Sequence, residues 1–176
     1  MMFYYLASNL EPIILEKKPT KVLEISEWDS SGYRYGRLVS TCFSRFEKKS
    51  GEEYVDRVEI SEHVATGESP YRNIFPLEVL NDHNTLGNYD LILIADLFEQ
   101  LDMETAKTLI SNLCVDVCKH VVIVVPNKGL AESFFDSGLV EYKRLVIEAV
   151  PENLRIFTVQ KRTTAPIKLK STKLFG

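Results

Sequence analysis

The sequence predicts an α/β fold, a mostly parallel sheet with helices on both faces. Two short apolar runs carry this expectation, Leu91 to Ala95 and His120 to Val125. Runs of that length that stay apolar at every position suit strands covered on both sides, because each face must then be dry. The third observation is order: strand-like and helix-like segments alternate along most of the chain.

The elements follow in turn. Phe3 to Lys17 reads as a short helix with Pro12 as a kink or break, since proline removes an internal hydrogen bond. Lys21 to Ile25 is a short apolar strand, followed by a Gly/Ser-rich turn from Ser26 to Gly36. Arg37 to Lys49 is helix-like, with Leu38, Cys42, Phe43 and Phe46 on roughly one face. Tyr54 to Ile60 reads as a second strand. The stretch from Ser61 to Gly87 is irregular, with a short strand at Asn73 to Phe75. After the strand ending at Ala95, Asp102 is suited to cap a helix running to about Val115. Leu130 to Asp136 can form a short helix ending at Gly138. Leu139 to Val150 and Leu154 to Lys161 alternate as two antiparallel strands.

The chain has 176 residues, 45% of them hydrophobic and 26% charged, and a net charge of −4, which suits one soluble domain with a sizeable core. The absence of a strongly basic surface argues against a dedicated nucleic-acid binder. No apolar run reaches the roughly 18 to 20 residues of a membrane helix, and Met1 to Ser8 lacks the basic flank of a signal peptide. A cytoplasmic protein without membrane contact is the expectation. Cys42, Cys114 and Cys118 read as small buried hydrophobes, and His63, His83 and His120 are too scattered for a metal site. The domain is expected to span residues 1–162, opening with a helical segment at 1–18. Residues 163–176 are expected to be a basic, flexible tail.

The run Tyr89-Asp-Leu-Ile92, then Asp96-Leu-Phe-Glu-Gln-Leu101, resembles the fourth strand of class I S-adenosylmethionine (SAM) methyltransferases, which commonly read YDLIxxxDVLEHL. Gln100 stands where His is usual. The first strand and loop, Val22-Leu-Glu-Ile25 and later Arg34-Tyr-Gly36 with Leu38, are similar at their flanks to that family's VLEIGCGxG and GKYGxLL. The centre departs: Ser26 replaces a glycine, Glu27 and Trp28 follow, and about three residues are inserted. The family's GIE or GVD becomes Arg57-Val58-Glu59, so the acid remains and the glycine does not. Val124-Val-Pro-Asn127 resembles the family's StPN.

The resemblance implies a Rossmann-like, doubly wound, mostly parallel seven-stranded sheet with an antiparallel last strand. It also implies SAM as cofactor, or S-adenosylhomocysteine as product. Glu24 would meet the methionine amino group, and Ser26, Ser30, Ser31 and Gly32 would give the backbone's close approach. Glu59 would take the ribose hydroxyls, at about the 20-residue spacing beyond the glycine loop seen in such sheets. Asp96 would border the cofactor. On the adenine side, Glu78 is the nearest acid, and Leu77 or Phe75 could pack on the ring. Asp96 and Glu99, past the fourth strand, are the acids nominated for catalysis. Each of these positions has a plain alternative as a cap, turn former or solvated carboxylate.

Two functions stay open at this point. One is SAM-dependent methyl transfer to a small metabolite or glycan precursor. The other is a catalytically inactive methyltransferase-fold subunit that binds or scaffolds a protein partner or a second copy of itself. The altered first loop and Gln100 favour the second; Glu24, Glu59 and Asp96 favour the first.

Overall fold

The computed structural model describes residues 2–27, 35–46, 53–60, 69–95, 97–113, 117–118, 120–125, 140–148 and 153–161. The expected helix at 130–136 and the tail at 163–176 lie outside these residues. Helix α1 spans Met2–Lys17, β1 Lys21–Ser26, α2 Tyr35–Phe43, β2 Tyr54–Glu59 and β3 Ile74–Pro76. Strand β4 spans Leu91–Ala95, α3 Met103–Asn112, β5 His120–Val125, β6 Val140–Glu148 and β7 Asn153–Lys161.

The strands are hydrogen-bonded in the order β3-β2-β1-β4-β5-β7-β6. Pairings among the first five are all parallel, with Val22 beside both Val55 and Leu91, and Ile92 beside Val121. Strand β7 runs antiparallel to both β5 and β6. All seven strands belong to one sheet, in keeping with the expected doubly wound, mostly parallel arrangement, and the last strand, β7, is the antiparallel one. Its all-parallel part is five-stranded, β3-β2-β1-β4-β5, and the β6–β7 hairpin joins it at the β5 edge. A few residues can join antiparallel neighbours, whereas parallel ones need a long crossover.

Alternation along each parallel strand divides the core into two layers. Leu23, Ile25, Val58, Ile92 and Ile94 face Ala106, Leu109 and Ile110 of α3. Val22, Val55, Leu91 and Leu93 face Leu10 and Ile14 of α1, together with Val39, Cys42 and Phe43 of α2. Cys42 and Cys118 are both buried, and burial pushes the Cys42 thiol up. Cys114 lies outside the described residues.

Pro12 does not break α1, which runs unbroken through it. Its ring is exposed, away from buried Leu10 and Ile14, so the missing N–H is lost on the wet side. Helix α2 stops at Phe43, short of the expected Lys49. Asp102 caps α3, accepting from the backbone N–H of Glu104 and Thr105 at 3.0 Å each.

Two aspartates brace the sheet. Asp90 Oδ2 accepts from Thr20 N at 3.0 Å, Thr20 Oγ1 at 2.8 Å and Lys21 N at 3.2 Å, fixing the start of β1 beside the start of β4. Asp56, fully buried in β2, accepts from Arg72 Nη2 at 2.6 Å, Arg72 Nε at 3.1 Å, Asn73 Nδ2 at 3.0 Å and Tyr89 OH at 2.9 Å. Arg72 also lies over the Tyr54 ring, 3.2 Å from its centroid. Tyr89→Phe would deprive a buried carboxylate of one donor. A loss of about 1–3 kcal/mol is expected from urea denaturation; an unchanged midpoint would show that the remaining donors suffice.

Candidate functional site

Parallel pairing places the carboxyl ends of β1 and β2 side by side, with Glu24 beside Arg57 and Ser26 beside Glu59. Open α/β sheets bind ligands at this end. Period-2 alternation sends Glu24, Ser26, Arg57 and Glu59 to one face, that of α1 and α2. Tyr71, just before β3, joins them from that same side.

The five side chains form one connected cluster. Glu24 is fully buried and accepts from Ser26 Oγ at 2.6 Å and from Tyr71 OH at 2.8 Å. The Gly36 backbone N–H donates to the same carboxylate. Arg57 places Nη1 3.5 Å from Glu24 Oε1 and Nη2 2.8 Å from Glu59 Oε2. The same guanidinium donates to Tyr71 OH at 3.2 Å and to the Ser26 carbonyl at 3.1 Å. Its side chain is only 1% exposed, and that of Glu59 10%.

Burial pushes the Glu24 carboxyl above its ordinary range, against the opposing pull of Arg57, Ser26, Tyr71 and Gly36. Burial, then the Glu24 charge, likewise drives Tyr71 upward. Tyr71 therefore stays a phenol and a donor.

Gly36, in the first turn of α2, makes room for this arrangement. A Cβ there would clash with Tyr71 Cε1 and lie 2.8 Å from its Cζ. The glycine serves a close approach rather than a turn.

The other expected residues are distributed as follows. Ser30, Ser31, Gly32 and Asp96 lie outside the described residues. Glu99 belongs to a 3-10 turn, Phe98–Gln100, in which Phe98 is buried and Gln100 exposed; the Glu99 side chain is not among those described. Glu78 is exposed in another 3-10 turn, Leu77–Asn81, and Phe75 and Leu77 pack partly buried against the α3 layer. Arg57 and Tyr71 were not anticipated as site residues. The signal for Arg57 was present, because an adjacent acid and base inside an otherwise apolar strand require buried partners.

A cleft of about 760 Å³ opens elsewhere, at the amino end of β2, lined by Lys21, Phe43, Tyr54, Pro70 and Arg72 among others. It shares Tyr71 with the carboxylate cluster but is not lined by Glu24, Ser26, Arg57 or Glu59. Among the described residues no group of three acids, cysteines or histidines could hold a metal ion. Nor is any described helix long and apolar enough to cross a membrane.

A methyl donor of the SAM type brings an ammonium and a ribose, each calling for an acidic acceptor. Glu24 and Glu59, to which the resemblance gives those two contacts, already hold Arg57, and Glu24 is closed off from solvent. Their donor and acceptor set does not fit that ligand as it stands.

No protein-family profile and no curated protein sequence matches the chain. Solved structures do. The plantazolicin methyltransferase BpumL, in complex with a monoazolic desmethylPZN analog and S-adenosylhomocysteine, aligns with a TM-score of 0.59 at 15% identity, covering 91% of this chain and 85% of that one. Magnesium protoporphyrin IX methyltransferase from Synechocystis with bound SAM aligns with a TM-score of 0.57 at 13% identity, covering 89% and 78%. An O-methyltransferase from Bacillus cereus with S-adenosylhomocysteine gives 0.55 at 11% identity, covering 89% and 80%. At such identities the likeness speaks to the fold: the chain has the class I SAM-dependent methyltransferase-like Rossmann fold.

Proposed function

We propose that this chain is a methyltransferase-fold binding subunit that does not itself transfer methyl groups. One observation carries the reading: the Arg57 guanidinium bridges Glu24 and Glu59, the acids that the family resemblance assigns to the cofactor's amino group and ribose. A ligand ammonium would have to displace a buried, multiply hydrogen-bonded cation. Such an exchange loses contacts on both sides before any are gained. Calorimetric titration of the folded protein with SAM and with S-adenosylhomocysteine is expected to give no heat of binding. Micromolar binding that disappears in Glu59→Ala would sink the reading.

The second reading is SAM-dependent methyl transfer to a small-molecule or glycan-precursor acceptor, with Asp96 and Glu99 as acids near the acceptor. What favours it is the partial exposure of Glu59 at the end of β2, where a carboxylate can still meet a ligand hydroxyl. The same titration separates the two.

A further inference from the structure

We infer that the cleft at the amino end of β2 is a binding site for a singly charged aromatic carboxylate. It lies apart from the cluster of Glu24, Ser26, Arg57 and Glu59 and shares Tyr71 with it. The inference goes beyond the reading of that cluster and holds whether or not the chain meets SAM.

Three features converge there. The first is size: about 760 Å³ falls within the range of about 300–1,000 Å³ typical of small-molecule sites. The second is an apolar floor of Phe43 from α2, Val55 from β2 and Pro70, on which a ring can lie. The third is a set of donors that have no acceptor among the described residues. Lys21 gives its backbone N–H to Asp90, but its ammonium goes to none of them. Arg72 spends Nε and Nη2 on Asp56, which leaves Nη1 over. The Ser40 hydroxyl, on α2, has no partner among them either.

The charges set the valence of the ligand. Asp56 already balances Arg72, and Glu53, the acid on the cleft wall, is engaged in an interaction of its own. Lys21 is left as one uncompensated cation, which suits a single negative charge better than the near-double charge of a phosphate monoester. Arg72 adds shape. One face of its guanidinium lies 3.2 Å from the Tyr54 ring centroid, while its side chain stays 48% exposed. The outer face is thus available to a second flat ring, because a guanidinium stacks on aromatic surfaces. An aromatic acid can rest its ring against these surfaces and accept from Lys21 and Ser40 through its carboxylate.

The test titrates the full chain with naphthoate by calorimetry, with naphthalenemethanol as the neutral counterpart. A Kd below about 1 mM is expected for naphthoate, with the alcohol at least about tenfold weaker. No binding of naphthoate, or equal binding of both compounds, overturns the proposal. Lys21→Met keeps the backbone N–H that donates to Asp90 and is expected to raise the naphthoate Kd about tenfold. Lys107→Met, on α3 and outside the cleft, is expected to leave it unchanged. An unchanged Kd in Lys21→Met, or an equal loss in both variants, puts the compound elsewhere and overturns the site. Should Lys21→Met not fold, the comparison of naphthoate with the alcohol decides alone. Naphthyl phosphate binding more tightly than naphthoate overturns the assignment of a singly charged ligand.

Discussion

Arg57→Met is expected to cost about 3–5 kcal/mol of stability at neutral pH, the largest effect of any single change considered for this chain. Methionine fills much of the arginine's volume, so the loss is mainly electrostatic. Glu24 and Glu59 would face each other without the cation between them, one fully buried and the other nearly so. The pH dependence identifies the cause. Burial already holds the Glu24 carboxyl above its ordinary value of 4.5, and Arg57 is the largest influence opposing that rise. Removing Arg57 therefore raises it further. A carboxyl raised in the folded state favours folding most fully below its unfolded value. That contribution is lost as pH rises through the folded value. The variant's deficit should accordingly be greatest at pH 7 and shrink towards pH 5, as read from urea midpoints. A deficit of equal size at both pH values would point to packing instead.

The second large effect is expected from Gly36→Ala, which should destabilise the protein by about 1–3 kcal/mol although alanine is the better helix former. The opposing gain from helix propensity is about 1 kcal/mol at most. The clash wins because the Tyr71 ring cannot easily withdraw: its hydroxyl donates to Glu24 and accepts from Arg57. Tyr71→Ala removes the obstacle, so the double variant should be more stable than the two single losses predict. Strict additivity in that cycle would mean that the ring and the new methyl do not meet.

Much of the scaffold could be read from residue order. Strands β4 and β5 announced themselves as apolar runs; β4 is buried throughout, and Val121 to Val124 of β5 are buried too. Asp102 was legible as a cap because side-chain capping is local chemistry. Pro12 misled because its effect depends on which side of the helix it occupies, and sequence does not orient α1. The insertion of β7 between β5 and β6 was beyond periodicity, since alternation in residues 140–161 gives strands but not their neighbours in the sheet.

The candidate site was legible in part. The family resemblance assigned Glu24, Ser26 and Glu59 to strand ends, with spacing adding support for Glu59, and the structure brings all three together. What could not be read was that Arg57 binds both acids. That contact joins two strands and depends on register, as does the arrival of Tyr71 from a segment before β3. A charged pair within β2 signals buried partners without naming them.

Asp90 reaches back 70 residues to secure the first strand, and that separation bears on how the chain assembles. Strand β1 forms the centre of the parallel sheet, yet one of its two neighbours, β4, is made much later in synthesis. Until Leu91 to Ala95 arrive, one edge of an apolar strand waits without its partner. Pairings between segments far apart along the chain close slowly because of loop entropy. The β6–β7 hairpin, by contrast, joins neighbouring segments and can close quickly once made. Folding should therefore be limited by docking β4 beside β1, and the first half of the chain alone should tend to aggregate.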